Sequence, residues 1–301
     1  MTVEQRQVVA RDGTRIGYQV AGPSGRPCIV LANGLGGTYI AFRYLYDALA
    51  DYRVVCWDYR GLYTSEAPAD PAANTIAHQV ADLIEILDHE RVGDVVLAGW
   101  SMGVQVSFES MRHHAQQMRG LFAINGTSGR AFHTVMGSRL VGQTIPMLLK
   151  LIKAQASLVG RATKRVAGSD ALINAMKRVG LVSQSIDVDI FRQVAAGFQH
   201  VDWRIYSDLL TRLDEHDAED VLPSIAVPVG IVTGTKDLMT PPATAERIHR
   251  AIRGSRLVVV EGGTHYTPVE YPAIVVDELG RLLDRVPGWE RAPVRRAAGE
   301  S

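Results

Sequence analysis

The sequence predicts an α/β protein: a mostly parallel sheet with helices on both faces, interrupted by a helical insertion. Three observations carry that expectation. Short apolar, β-branched runs alternate with helical patterns from Cys28 to Ile124 and again from Val229 to Arg285. Right-handed crossovers turn such a rhythm into a parallel sheet covered on both sides. Between Arg130 and Leu222 the rhythm lapses and helical patterns follow one another. Finally, Val95-Val96-Leu97-Ala98 runs into Gly99-Trp100-Ser101-Met102-Gly103, and a helical pattern from Val104 to His113 follows. A serine is thus set on a tight turn between a buried strand and a helix, the context that Gly-x-Ser-x-Gly requires of a nucleophile elbow.

Gln5–Ala10 and Arg15–Val20 alternate in polarity and are joined across Asp12-Gly13, a hairpin signal. Cys28–Leu31 is a continuous apolar strand ending in Asn33-Gly34-Leu35-Gly36-Gly37. A helix from Tyr39 to Ala50 leads to a second buried strand, Arg53–Trp57. From Thr75 to Asp88, Ile76, Val80, Leu83, Ile84 and Leu87 recur at helical spacing. Gly120–Ile124 is the strand before the insertion, whose helical stretches are Ile145–Leu158, Asp170–Val179 and, in pieces, Asp187–Arg212. Strands resume at Val229–Thr233 and Arg256–Val260, with helices at Thr244–Ile252 and Pro272–Arg285. The expected division is therefore core over 1–129 and 223–286, insertion over 130–222, and a frayed tail over 287–301.

Composition narrows the function classes. Thirty-two Lys and Arg balance thirty-two Asp and Glu, so no global field recruits nucleic acid. No run is long enough for an integral membrane segment, and Met1–Arg6 lacks the apolar core of a signal peptide, which makes the cytoplasm the expected location. Cys28 and Cys56 lie in separate strand-like runs with no Cys/His grouping, so neither a metal centre nor a disulfide is expected.

A serine hydroxyl is a weak nucleophile without a base, and the base needs a partner that sets its tautomer. In open α/β sheets such groups sit on loops at the carboxyl ends of strands. Two downstream loops qualify. Gly234-Thr235-Lys236-Asp237 offers Asp237, and Gly262-Gly263-Thr264-His265-Tyr266 offers His265. The order Ser101, Asp237, His265 is the one the elbow motif requires. The backbone N–H of Met102 would meet the oxygen of a bound acyl group. The loop after Cys28–Leu31 would supply a second N–H from Leu35, with Gly36 as the alternative donor. Asn33, Gly34, Gly36, Trp100 and Tyr266 are the expected substrate contacts. No cofactor is required.

With these residues the chain resembles the α/β-hydrolase superfamily, in the branch with a helical cap between the sixth and seventh core strands. Gly99-Trp100-Ser101-Met102-Gly103, Asp58-Tyr59-Arg60-Gly61, Gly234-Thr235-Lys236-Asp237 and Gly262-Gly263-Thr264-His265 carry the resemblance, over residues 28–280. It implies an eight-stranded sheet, a Ser-Asp-His triad and a substrate cleft between core and cap. It also implies hydrolysis of a carboxylic ester or related acyl compound. Thioester cleavage, perhydrolysis and carbon–carbon bond hydrolysis remain open on the same scaffold, as does a non-catalytic receptor. Serine at position 101, rather than aspartate, speaks against dehalogenase and epoxide-hydrolase chemistry. Two positions depart from the family pattern: Asn33 stands for the usual histidine, and Tyr63 for the second glycine of Arg-Gly-x-Gly-x-Ser.

Charge within the insertion is uneven. From Arg130 to Gly180 nine basic residues accompany one acid, Asp170, whereas Leu181–Leu222 holds nine acids and three arginines. The bland reading is two solvated faces that partly neutralise each other. The sharper one takes Met147–Lys153, an apolar run with lysines three apart, as a contact for an acidic carrier or a membrane surface.

Overall fold

The computed structural model describes residues 1–133, 135 and 139–289. The frayed tail expected beyond Pro287 lies, from residue 290 on, outside the described residues. Eight strands form one sheet: β1 (Val3–Val9), β2 (Arg15–Ala21), β3 (Cys28–Ala32), β4 (Arg53–Trp57), β5 (Val95–Trp100), β6 (Met118–Ile124), β7 (Val229–Gly234) and β8 (Arg256–Val260). Their order is β1-β2-β4-β3-β5-β6-β7-β8. The first hairpin and the β2–β4 pair are antiparallel, and every pair from β4 through β8 is parallel.

Successive residues of each strand point to opposite faces, so one strand feeds two cores. Val30, Val55, Leu97 and Ile231 pack against α2 (Ile76–His89), α3 (Met102–His114) and α9 (Pro242–Ala251). Ile29, Val54, Val96 and Phe122 pack against α1 (Arg43–Ala48) and α11 (Pro272–Leu283). A strand buried on both faces cannot alternate in polarity, which is why β3, β4 and β5 read as unbroken apolar runs. Cys28 and Cys56 are buried free thiols in this double layer.

Between β6 and β7 lie α4 (Arg139–Ala154), α5 (Ala156–Val166), α6 (Asp170–Arg178), α7 (Val188–Gly197) and α8 (Trp203–Glu215). A four-residue helix, α10 (Thr267–Glu270), follows β8. Two expectations for helices need correction. The Tyr39–Ala50 stretch is a 3-10 turn over Tyr39–Phe42 followed by the short α1. The single Ile145–Leu158 stretch is two helices that break at Gln155, whose φ of −106° and ψ of 24° leave the helical region. The first of them starts six residues earlier than expected and carries Pro146 inside it.

Strand order reverses around β3, which has β4 on one side and β5 on the other. Chains leaving β3 and β5 therefore diverge to opposite faces and open a crevice at their carboxyl ends. The Asn33–Gly37 loop and Ser101 both emerge there.

Candidate active site

Ser101 holds φ of 55° and ψ of −116°, a strained conformation for a residue with a Cβ. It is fixed from both sides: its N–H donates to the Ile124 carbonyl oxygen at 3.0 Å, and its own carbonyl oxygen accepts from Val104 N–H at 3.0 Å. The flanking glycines permit the turn by lacking a Cβ. One built on Gly99 would fall 2.2 Å from the Gly103 carbonyl oxygen, and one on Gly103 would fall 2.1 Å from that of Ala32.

His265 arrives on the loop after β8, 164 residues downstream, and its Nε2 lies 2.8 Å from Ser101 Oγ. Its Nδ1 lies 2.9 Å from Asp237 Oδ2. Asp237 lies on the loop after β7 and is buried. Its Oδ1 accepts the N–H groups of Met239 and Thr240, while its Oδ2 accepts the Thr240 hydroxyl and, at 2.7 Å, the Asn125 amide. Burial alone would raise this carboxyl. The charge and hydrogen bond of His265, with the Thr240 N–H and the Asn125 amide, outweigh it and hold the group below the ordinary carboxylate range. A carboxylate so placed can accept an Nδ1–H from the imidazole, and the Nε2 of that tautomer can accept a hydrogen bond from Ser101 Oγ.

Met102 is the first residue of α3, where an N–H has no intrahelical acceptor. The opposite loop comes close: a Cβ on Gly34 would fall 3.2 Å from Ser101 Cβ. Gly36 has φ of 76°, and its carbonyl oxygen accepts a hydrogen bond from the Tyr63 hydroxyl. Tyr63 itself holds φ of 51°. The position that is usually glycine does require the left-handed region here, and the tyrosine occupies it while its hydroxyl ties down the Gly36 loop.

The expected substrate contacts separate in space. Tyr266 lines a cavity of about 270 Å³ together with Phe191, Phe198, Trp203 and Met176. Trp100 is buried, and its indole N–H donates to the His265 carbonyl oxygen at 2.8 Å, so it supports the histidine loop. Asn33 is also buried and turns away from the cleft. Its amide donates to Cys56 Sγ at 3.1 Å and to the Trp57 carbonyl oxygen at 3.3 Å. The polar ends of Asn33 and Trp100 are thus engaged beneath the site, with Cys56, Trp57 and the His265 loop.

Two residues at the site escaped the sequence reading. Asn125, at the carboxyl end of β6, bonds Asp237 and the Thr264 carbonyl oxygen. Its position just after a parallel strand was the available signal. Glu270 is buried and accepts both the Thr264 N–H and its hydroxyl, at 2.8 and 2.6 Å, and also Ser183 N–H at 2.6 Å. No sequence pattern marks it. His216, in the insertion, contacts Gln105 and Glu109 of α3.

Comparison with known proteins extends these observations. An uncharacterized Mycobacterium tuberculosis protein is 27% identical over 306 residues, spanning 96% of this chain and 86% of its own. A pimeloyl acyl-carrier-protein methyl ester esterase of Neisseria meningitidis is 28% identical, over 64% of this chain and 75% of its own. The enol-lactonase structure from Burkholderia xenovorans shares the fold at a TM-score of 0.72 and 23% identity, over 93% of this chain and 100% of that one. The alpha/beta hydrolase family model matches residues 29–278, and the chain belongs to that family.

Proposed function

We propose that the protein is a cofactor-free serine hydrolase of small carboxylic esters or related acyl compounds. The observation that carries this reading is the continuous hydrogen-bonded line from Ser101 Oγ through His265 to the buried Asp237 carboxyl. His265 takes the Ser101 proton as Oγ attacks the acyl carbon. Asp237 stabilises the imidazolium, and the N–H groups of Met102 and Leu35 receive the oxyanion. His265 then returns its proton to the leaving alcohol and, in the second half, activates water against the acyl-enzyme. The helices over 130–222 act as a cap whose side chains shape the pocket, with 1–129 and 223–286 as the core. The methyl-ester chemistry named in one of the similar proteins supports an ester substrate.

A fluorophosphonate probe tests the reading, because only an activated serine attacks phosphorus rapidly. It should label Ser101, and labelling should vanish in Ser101→Ala and become far slower in His265→Ala. Undiminished labelling in either variant would remove the triad. A panel of esters, thioesters and lactones of graded acyl length then ranks substrates by kcat/KM.

A further inference from the structure

One surface lies outside this machinery. In α4, Leu140, Met147 and Leu151 are 76%, 79% and 59% exposed. At about 100° per residue they fall within about 40° of one another, so they form one stripe. Leu149, about 180° from Leu140 on the same helix, is buried against the protein. The stripe is therefore the outer face of a helix already packed by its inner one. Large aliphatic side chains aligned in water are costly, at about 25 cal/mol per Å², and such alignment marks a contact surface. On the next helix Leu158 and Val166 are also largely exposed.

Charge identifies the occupant. Lys150, Arg161, Lys164 and Arg165 are exposed on the same two helices, which carry no acid from Arg139 to Val166. Val166 has a second role, since it also lines the 270 Å³ apolar cavity that reaches Tyr266, the neighbour of His265. An apolar stripe bordered by cations, beside the mouth of an apolar cavity, suits a headgroup–acyl boundary. An acidic protein would satisfy the cations but leave the convex aliphatic stripe without a matching groove.

We propose that the outer face of α4 and α5 docks on an anionic bilayer surface, with Leu140, Met147 and Leu151 in the interface and the cations against the headgroups. The protein lies on the membrane in this arrangement, and no helix among the described residues is long and apolar enough to cross one. Docking is independent of the chemistry at Ser101, so the test needs no substrate.

The full chain, as wild type and as Ser101→Ala, is sedimented with phosphatidylcholine vesicles with and without phosphatidylglycerol. Both proteins should partition onto the anionic vesicles alone, and binding should fall about tenfold or more from about 50 to 300 mM salt. Met147→Ser with Leu151→Ser, and separately Lys150→Glu with Lys164→Glu, should each weaken partitioning at least about tenfold while thermal unfolding stays unchanged. Exposed positions tolerate these changes, so loss of fold does not confound them. Absence of binding, equal binding to neutral vesicles, or dimerisation abolished by the Met147/Leu151 pair would each overturn the proposal. So would salt-sensitive binding to an acidic acyl-carrier protein with none to vesicles.

Discussion

Asn125 donates its side-chain amide to Asp237 at 2.7 Å and to the Thr264 carbonyl oxygen at 3.1 Å, joining the loops that carry Asp237 and His265. It does so from φ of 45°, a conformation that asparagine tolerates better than most residues. Removing the amide weakens the hydrogen bonding that keeps Asp237 ionised. Asn125→Gly, which keeps the backbone but cannot donate, should lower kcat/KM about tenfold, the worth of one hydrogen bond to a charged group. Asp237 is less depressed without its donor, so the inactivation that follows its own protonation at low pH should begin at higher pH. An unmoved pH profile would reduce Asn125 to a loop tie.

Asp237 is expected to act through the tautomer of His265. Asp237→Asn retains the size of the side chain and reverses the hydrogen-bonding requirement at Nδ1. The expected result is a fall in kcat on the order of 10³- to 10⁴-fold with KM changed little. Steady-state kinetics on the best ester checks it, and a matching rise in KM with kcat preserved would point to a binding role.

Tyr63 joins a strained backbone to a functional contact. Tyr63→Phe keeps the ring and loses the hydrogen bond to the Gly36 carbonyl oxygen. The loop bearing Leu35 is then held less firmly, and kcat should fall roughly three- to tenfold with a stability loss of about 1 kcal/mol. Tyr63→Gly relieves the φ of 51° but loses both ring and hydroxyl. It should lower kcat at least as much as the Phe variant. Full activity in both variants would show that the loop is positioned without Tyr63.

Acid stability should report Glu90, a residue far from the site. Its side chain is buried and accepts the Tyr18 hydroxyl at 2.7 Å, Arg53 at 2.6 Å and Arg6 at 2.8 Å. Burial would raise it, but these three donors prevail and hold it below the ordinary glutamate value. A carboxyl depressed on folding stabilises the protein above its unfolded pKa of about 4.3 and loses that contribution as pH falls through the folded value. Glu90→Gln should cost roughly 1–3 kcal/mol near neutrality and flatten the decline of stability below about pH 4.3. Denaturant unfolding across pH distinguishes this from a uniform loss.

The sequence by itself determined the strands, most of the helices, and the loops on which Ser101, Asp237 and His265 sit. Runs such as Cys28–Leu31 and Arg53–Trp57 announce buried strands because both faces are covered, and Gly99 and Gly103 announce the elbow because nothing larger fits. Those signals are local, carried by periodicity and by backbone conformation over a few residues. Tertiary structure decided what meets. Ser101 and His265 come within 2.8 Å across 164 residues because strand order reverses beside β3 and brings distant carboxyl ends to one crevice. It also decided that the Asn33 amide turns toward Cys56, that Trp100 supports the His265 loop, and that Asn125 and Glu270 bind the site together. None of these can be read from spacing, since a side chain's direction depends on neighbours contributed by other strands. The outer stripe of α4 lies between the two kinds of knowledge. Its periodicity is written in the sequence, but which helix face is buried was settled only by packing.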